Sequence, residues 1–197
     1  MAISLTKGQK IDLTKGQQGL SKLLVGLGWD PVKKKSFLGF GGGGANIDCD
    51  ASVLMLDEDG KLRSQRKVIY FGNRESACQS IRHSGDNLTG HGDGDDEQIF
   101  VDLEKVPSIV HKLVFVVNIY DADKRHQDFG MIQNAFIRIV DASSNNELVH
   151  YNITDNFSGL TTLFAGELYR HGGEWKFSAV GEGTKDISIS QVASKYS

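Results

Sequence analysis

The sequence predicts a mainly β protein, a β-sandwich of two antiparallel sheets with a few short helices. Roughly nine or ten short segments are either alternating or continuously apolar, and turn residues separate them about every dozen positions. Residues 112–120 form the most apolar run and are predicted to be a central strand. The 197 residues can bury a sizeable core, and we expect a single domain over residues 1–197.

The N-terminal part of the chain contains a short internal repeat, because the sequence of residues 5–9 recurs at residues 13–17. A solenoid needs at least three units, so one repeated pair predicts a hairpin or two equivalent edge strands. Further strands are predicted at 22–30, 47–56 and 67–71. Between the last two, residues 57–60 predict a hairpin turn in which Gly60 takes a positive φ.

The C-terminal part predicts more strands and three short helices. Pro107 fits the first turn of a helix over 106–110, and further short helices are predicted at 129–134 and 186–196. Residues 72–82 fit a short helix or coil. Strands are predicted at 98–103, 135–140, 147–153, 163–169 and 174–181, the last two joined by a turn at 171–173.

Composition excludes several classes of function. A formal net charge of −3 and the lack of a long basic block argue against nucleic-acid binding. No signal-like apolar core begins the chain and no window approaches 18 apolar residues, so we expect no direct membrane insertion and a cytoplasmic location. Cys49 and Cys78 fit no zinc or CxxC spacing and are expected to be free thiols.

An acidic stretch at residues 83–97 is the strongest functional signal. It holds five carboxylates and four glycines with no Lys or Arg. Two carboxylates about 4 Å apart repel by roughly 4 kcal/mol at an effective dielectric near 20, so a counter-ion is expected. Oxygen ligands on a backbone that glycine can bend are typical of Ca²⁺, which takes about 6–8 oxygens. The alternative is a solvated acidic loop.

Two further acidic pairs accompany strands. In the strand at 47–56 the period of two places Asp48 and Asp50 on one face, roughly 7 Å apart, with Cys49 on the opposite, core face. Asp121 and Asp123 follow the central strand. Both pairs are therefore candidate partners of the acidic stretch in holding metal ions.

Short motifs along essentially the whole chain share one resemblance: Val25-Gly26-Leu27-Gly28-Trp29-Asp30, Asp48-x-Asp50-Ala51-Ser52, Gly85-Asp86-Asn87-Leu88-Thr89-Gly90, Gly94-Asp95-Asp96-Glu97, Asp121-Ala122-Asp123 and Gly166-Glu167-Leu168-Tyr169-Arg170. With these motifs the chain strongly resembles the TerD family of tellurite-resistance and general stress proteins. The resemblance implies a β-sandwich that binds two Ca²⁺ ions through acidic loops in the bacterial cytoplasm. It also implies other tellurite-resistance proteins, including a membrane protein, as partners.

The expected function is therefore calcium binding without enzymatic activity. Two ions need about 12–16 oxygens, which the candidate ligands can supply together with backbone carbonyls and water. The candidates are Asp48, Asp50, Asp86, Asn87, Asp95, Asp96, Glu97, Asp121 and Asp123. The alternatives are a calcium-dependent enzyme, a binder of a small phosphate-containing ligand, and tellurite reduction by the thiols. No residue is assigned a catalytic role.

Overall fold

The computed structural model describes residues 2–17, 19–32, 47–85 and 94–197. Within these ranges the chain forms twelve strands and two short helices. The strands are β1 Ile3–Leu5, β2 Lys10–Asp12, β3 Lys22–Pro31, β4 Cys49–Leu56, β5 Val68–Ile69, β6 Ile81–His83, β7 Glu97–Asp102, β8 Lys112–Ile119, β9 Ile132–Asp141, β10 Asn146–Asn152, β11 Thr162–His171 and β12 Glu174–Thr184. The helices are α1 Ala122–Arg125 and α2 Ile189–Ser194.

The strands build two six-stranded sheets, which confirms the predicted β-sandwich. The first sheet has the order β1, β10, β9, β3, β7, β6, and the second β2, β12, β11, β8, β4, β5. Neighbouring strands are antiparallel except for the parallel pair of β1 and β10. Inward side chains such as Val25, Ile99, Phe115 and Phe177 fill the space between the sheets and are fully buried. The predicted central strand is β8, which lies between β11 and β4.

Each copy of the N-terminal repeat lies at the C-terminal end of an edge strand, one strand in each sheet. β1 pairs with β10 at the edge of the first sheet, and β2 pairs with β12 at the edge of the second. After each strand the repeated sequence makes the same turn, with Gly8 and Gly16 at φ of 80° and 77°. Glycine reaches this left-handed region without steric cost, so the two copies encode one turn twice.

The prediction of a helix at 106–110 is wrong. This segment is a turn, in which Val110 N–H donates to the Pro107 carbonyl. The Arg170 guanidinium donates to the carbonyls of Val106 and Val110. Five residues are too few to stabilise an isolated helix, and these long-range hydrogen bonds fix a different backbone path.

Two other helices are shorter than predicted. Only Phe129–Met131 is helical, as a 3₁₀ turn, and β9 begins at Ile132. The C-terminal helix begins after Ser188, whose side chain accepts from Gln191 N–H. Upstream, the Asp186 carbonyl accepts from the hydroxyls of Thr161 and Thr162, which hold that residue against the sheet instead of in the helix.

A second apolar cluster covers the outer face of the second sheet. Leu54 and Leu56 of β4 and Val114 and Val116 of β8 pack there against Val192 of α2. The C-terminal segment therefore shields strands whose other face lines the main core. Among the described residues, no helix is long and apolar enough to cross a membrane.

One end of the sandwich collects acidic side chains. In the first sheet the pairing of β3 with β7 ends at Leu27 and Glu97, and in the second the pairing of β8 with β4 ends at Ile119 and Cys49. We call this the acidic end and define it by Asp30, Asp48, Asp50, Asp96 and Glu97.

Candidate metal site

Glu97 and His83 reach from the first sheet to the second and contact the same residue of β4. Ala51 N–H donates to Glu97 Oε2 over 2.6 Å, and the Ala51 carbonyl lies 3.1 Å from His83 Nε2. β5 pairs with Val53 and Leu54 but not with Ala51. The two side chains therefore satisfy backbone groups of β4 that the neighbouring strand does not reach.

The hydrogen bonds of His83 indicate which of its ring nitrogens carries the hydrogen. Gly85 N–H donates to His83 Nδ1 over 3.1 Å, which places the ring hydrogen on Nε2. That hydrogen faces both the Ala51 carbonyl and Glu97 Oε2, the latter at 3.2 Å. Both side chains are completely buried, so this arrangement fixes the direction of the Glu97 carboxylate.

The second oxygen of Glu97 is the most informative atom of the acidic end. Oε1 is buried and has no hydrogen-bond partner among the described residues. A buried carboxylate oxygen without a partner loses its hydration without compensation, and such atoms are rare in native proteins. Glu97 Oε1 is therefore suited to hold a ligand.

Asp96 lies next to Glu97 and closes the ladder between β3 and β7. Its backbone N–H donates to the Leu27 carbonyl, and its Oδ2 accepts from Trp29 N–H over 2.7 Å. Burial, together with the charges of Asp30, Glu97 and Asp95, raises the pKa of Asp96 to about 6, although the hydrogen bond from Trp29 N–H lowers it. A nearby cation would stabilise the charged form.

Asp48 and Asp50 approach the same region from β4. The prediction that Cys49 points into the core is confirmed, because this thiol is 1% exposed. Burial raises the pKa of Cys49 well above its ordinary value, and the charges of Asp50, Asp48, Glu97 and Asp96 raise it further. The charges of four carboxylates thus act on this one thiol.

Positive charge at the acidic end is limited among the described residues. The Arg125 guanidinium lies 3.3 Å from Asp48 Oδ2 and compensates that carboxylate. Lys124 pairs instead with Asp121, 3.0 Å away on the surface. The Arg125 guanidinium therefore brings one positive charge to the acidic end.

Asp95 points away from this group, onto the outer face of the first sheet. Arg138 Nε and Nη2 bind its two carboxylate oxygens at 2.6 and 2.9 Å, and Gln98 donates to Oδ2 as well. The Asp95 side chain is fully buried in this contact. Asp95 therefore holds the chain to the sheet, a role that the sequence analysis did not foresee.

The remaining predicted ligands are scattered or lie elsewhere. Asp121 follows β8 with φ of 50° and lies near Asp48, whose carbonyl accepts from Tyr120 N–H. Asp123 is exposed on α1. Asp86 and Asn87 lie outside the described residues. Within the described residues, no three His, Cys, Asp or Glu side chains converge closely enough to hold a metal by themselves.

Sequence reasoning missed two members of the site, Asp30 and His83. Asp30 ends the predicted strand at 22–30, and its charge raises the pKa of Asp96. The sequence pattern places His83 at the start of the acidic stretch, whereas in the structure it ends β6 and is 3% exposed. The signal available in the sequence is the order of an apolar, a charged and an aromatic side chain at Ile81, Arg82 and His83, which fits a strand with alternate residues buried.

Asp95 also explains a glycine of β3. A Cβ added to Gly26 would overlap the Asp95 carboxylate, which Arg138 holds in place. We expect Gly26→Ala to lower the free energy of unfolding by about 1–3 kcal/mol, measured by urea denaturation. In an Asp95→Gly background the same substitution should cost little. An equal cost in both backgrounds would show that this overlap does not restrict the position.

The fold and the site define a β-sandwich protein with a cluster of carboxylates at one end. The TerD domain matches residues 1–196. Stress response protein SCP2 of Bacillus subtilis (strain 168) is 62% identical over 201 residues and 100% of both chains. Tellurium resistance protein TerD of Serratia marcescens is 44% identical, covering 93% of this chain and 91% of its own. The chain therefore belongs to the TerD family, as its sequence motifs predicted.

A solved structure supports the fold independently. A homologue of telluride resistance protein TerD from Streptomyces coelicolor A3(2) superposes with a TM-score of 0.66. The match covers 91% of this chain and 99% of the other at 21% sequence identity. At this identity the likeness bears on the fold alone.

Proposed function

We propose that this protein is a non-enzymatic calcium-binding protein of the bacterial stress response, acting in the cytoplasm. The observation that carries the proposal is the buried Oε1 of Glu97, which has no hydrogen-bond partner in the described part of the chain and lies near three further carboxylates. Names of relatives, a stress response protein and a tellurium resistance protein, support the physiological part. Two ions are proposed, in keeping with the acidic composition of residues 83–97.

The donor set favours calcium over other metals. The groups that would hold the ion are the carboxylates of Asp48, Asp50, Asp96 and Glu97. Oxygen-only ligands favour hard cations, whereas zinc and copper prefer sites that include His nitrogen or Cys sulfur. His83 uses both ring nitrogens in hydrogen bonds, and Cys49 is buried. Neither is available as a soft ligand.

The described carboxylates would supply only part of a coordination sphere. Each calcium needs about 6–8 oxygens, and no three of the described acidic side chains converge sufficiently on their own. Asp86 and Asn87 directly follow Gly85, the last residue of the first described part of the acidic stretch. We propose that residues 86 and 87 contribute the missing ligands, with carbonyls and water.

The buried thiol of Cys49 supports a binding role rather than a catalytic one. Burial and the four neighbouring carboxylates keep Cys49 protonated, which makes it a poor nucleophile and a poor reductant of tellurite. Burial opposes ionisation of Cys78, but hydrogen bonds with Ser76 and Ser80 outweigh it and lower the pKa of that thiol.

We propose that the function of the protein depends on partner proteins. These are other tellurite-resistance proteins, including one in the membrane, and nucleic acid is not among the partners.

Calorimetric titration of the purified protein with CaCl₂ and with MgCl₂ tests this function. We expect calcium to bind at least about tenfold more tightly, because Mg²⁺ demands compact octahedral geometry and retains its water. Titration of Asp59→Asn, which removes an exposed carboxylate that is not a candidate ligand and pairs with Arg63 on the surface, should give the wild-type curve. Equal affinity for the two metals would contradict the proposal.

A further inference from the structure

A groove on the outer face of the second sheet lies beside the C-terminal segment. Its volume is about 230 Å³, smaller than a typical pocket for a drug-sized ligand. Asp50 and Ser52 of β4 and Asn118 of β8 line it from the sheet, and residues 187–190 line the opposite side. Ser52 and Asn118 are 1% and 5% exposed, so the floor of the groove is polar but almost inaccessible to solvent.

Asn118 presents an unsatisfied acceptor to this groove. The Thr162 hydroxyl donates to the Asp186 carbonyl over 2.7 Å, so it can only accept from Asn118, whose Nδ2 donates to it. The amide nitrogen therefore faces β11, and Oδ1 faces the other neighbouring strand, β4. Oδ1 is buried and has no hydrogen-bond partner among the described residues.

The residue opposite Asn118 on β4 is Asp50. Directly paired residues on one face of a sheet have Cβ atoms about 4.5–5.5 Å apart, so an amide oxygen and a carboxylate face the same small space. The Ser52 hydroxyl is a third possible acceptor on this face. A set of acceptors is suited to a ligand that brings several N–H donors and a positive charge.

The walls of the groove are apolar and exposed. Phe71, Tyr120 and Ile187 line the groove, and their exposed fractions are 38%, 45% and 41%. Clustered exposed hydrophobic residues mark interaction sites. Tyr120 already holds the Arg125 guanidinium 5.1 Å from its ring centre, so this surface accommodates a cation.

We propose that this groove binds a primary ammonium group carried on a short hydrocarbon chain. The three N–H donors of such a group match the acceptors of Asp50, Asn118 and Ser52, and the chain would lie against Phe71 and Ile187. A divalent metal would satisfy the floor but leave the apolar walls unused. A lysine side chain and a small free amine share the required chemistry.

Protein-observed NMR titration with n-pentylammonium tests the proposal. We expect saturable shifts at Asn118, Tyr120 and Ile187, and binding about tenfold weaker for 1-pentanol, which lacks the charge and two of the donors. The titration is done in EDTA, since Asp50 also belongs to the proposed calcium site. Its result is therefore independent of calcium binding. Equal binding of the alcohol, or shifts elsewhere, would overturn the proposal.

Two variants assign the binding to this groove. Asn118→Ala should weaken pentylammonium binding about tenfold, since a hydrogen bond to a charged group is lost. Phe71→Ala alters an exposed wall and should weaken binding in a folded protein, whereas Ile109→Ala, at an exposed position outside the groove, should not. Unchanged binding in the Phe71 variant would overturn the assignment.

A second probe separates the two sources of the ammonium group. Nα-acetyl-lysine methylamide carries the same group on a peptide backbone. Binding comparable to that of pentylammonium would indicate a lysine of a partner protein. Binding of the free amine alone would indicate a small metabolite-sized ligand, and binding of neither would reject the site.

Discussion

Chelation of calcium is expected to lower the melting temperature of this protein by about 5–10 °C relative to 1 mM Ca²⁺. A ligand that binds only the native state stabilises it by RT ln(1 + [L]/Kd), which is roughly 2.7 kcal/mol at 100 times Kd, here taken as about 10 μM. For a domain of this size each kcal/mol corresponds to about 2–4 °C. Without the ion, the carboxylates of Asp48, Asp50, Asp96 and Glu97 repel one another, and the Arg125 guanidinium offsets the charge of Asp48.

The control for that experiment is ionic strength. Added NaCl screens repulsion between carboxylates but supplies no coordination, so it should raise the melting temperature by less than calcium does. Amide exchange over residues 83–97 should slow in calcium at matched ionic strength. Superimposable melting curves with unchanged exchange would mean that the acidic stretch is only a solvated surface.

Asp95→Asn and Asp96→Asn are expected to have different effects, although the residues are adjacent. The first should lower the stability of the protein, and the second should lower its calcium binding. Asp95→Asn should destabilise the calcium-free protein by about 2–3 kcal/mol, because it breaks a bidentate pair with Arg138 in which the carboxylate is fully buried. Asp96→Asn should leave calcium-free stability nearly unchanged. Its Oδ1 can still accept from Trp29 N–H, and the charge lost is one that burial disfavours.

Urea unfolding in EDTA, followed by calcium titration of each variant, distinguishes the two roles. We expect Asp95→Asn to retain calcium binding once folded, and Asp96→Asn to lose at least one binding event. Asp59→Asn is the matched control for the first, since Asp59 pairs with Arg63 on the surface and its loss should not change stability measurably. Loss of calcium binding in the Asp95 variant alone would reverse these assignments.

The fold could be predicted because its signals are local. Alternating strands, the apolar run that becomes β8 and the glycine turns each depend on a few neighbouring residues. The segment 106–110 could not be predicted, since its backbone is fixed by Arg170, which is distant in sequence. A side chain from another strand can thus override a plausible local pattern.

The site could be predicted only as a set of acidic residues. Asp95, Asp96 and Glu97 are consecutive, yet they reach an outer sheet face, a strand end and the interior respectively. The different positions of these three side chains depend on their hydrogen bonds with Arg138, Trp29 and Ala51. The composition of the acidic stretch does not reveal these partners. His83 was hidden for a similar reason, because its role depends on a partner in the other sheet.

Calorimetric titration of Glu97→Gln with calcium tests the central claim most directly. Glutamine keeps an oxygen for the Ala51 N–H but removes the charge and replaces Oε1, the buried atom for which the described ranges provide no hydrogen-bond partner. Glu104→Gln, at an exposed position on the chain beyond the end of β7, is the matched control. We predict that the Glu97 variant loses at least one calcium-binding event while the control binds as the wild type does. Wild-type stoichiometry and affinity in a folded Glu97→Gln protein would contradict calcium binding at the acidic end.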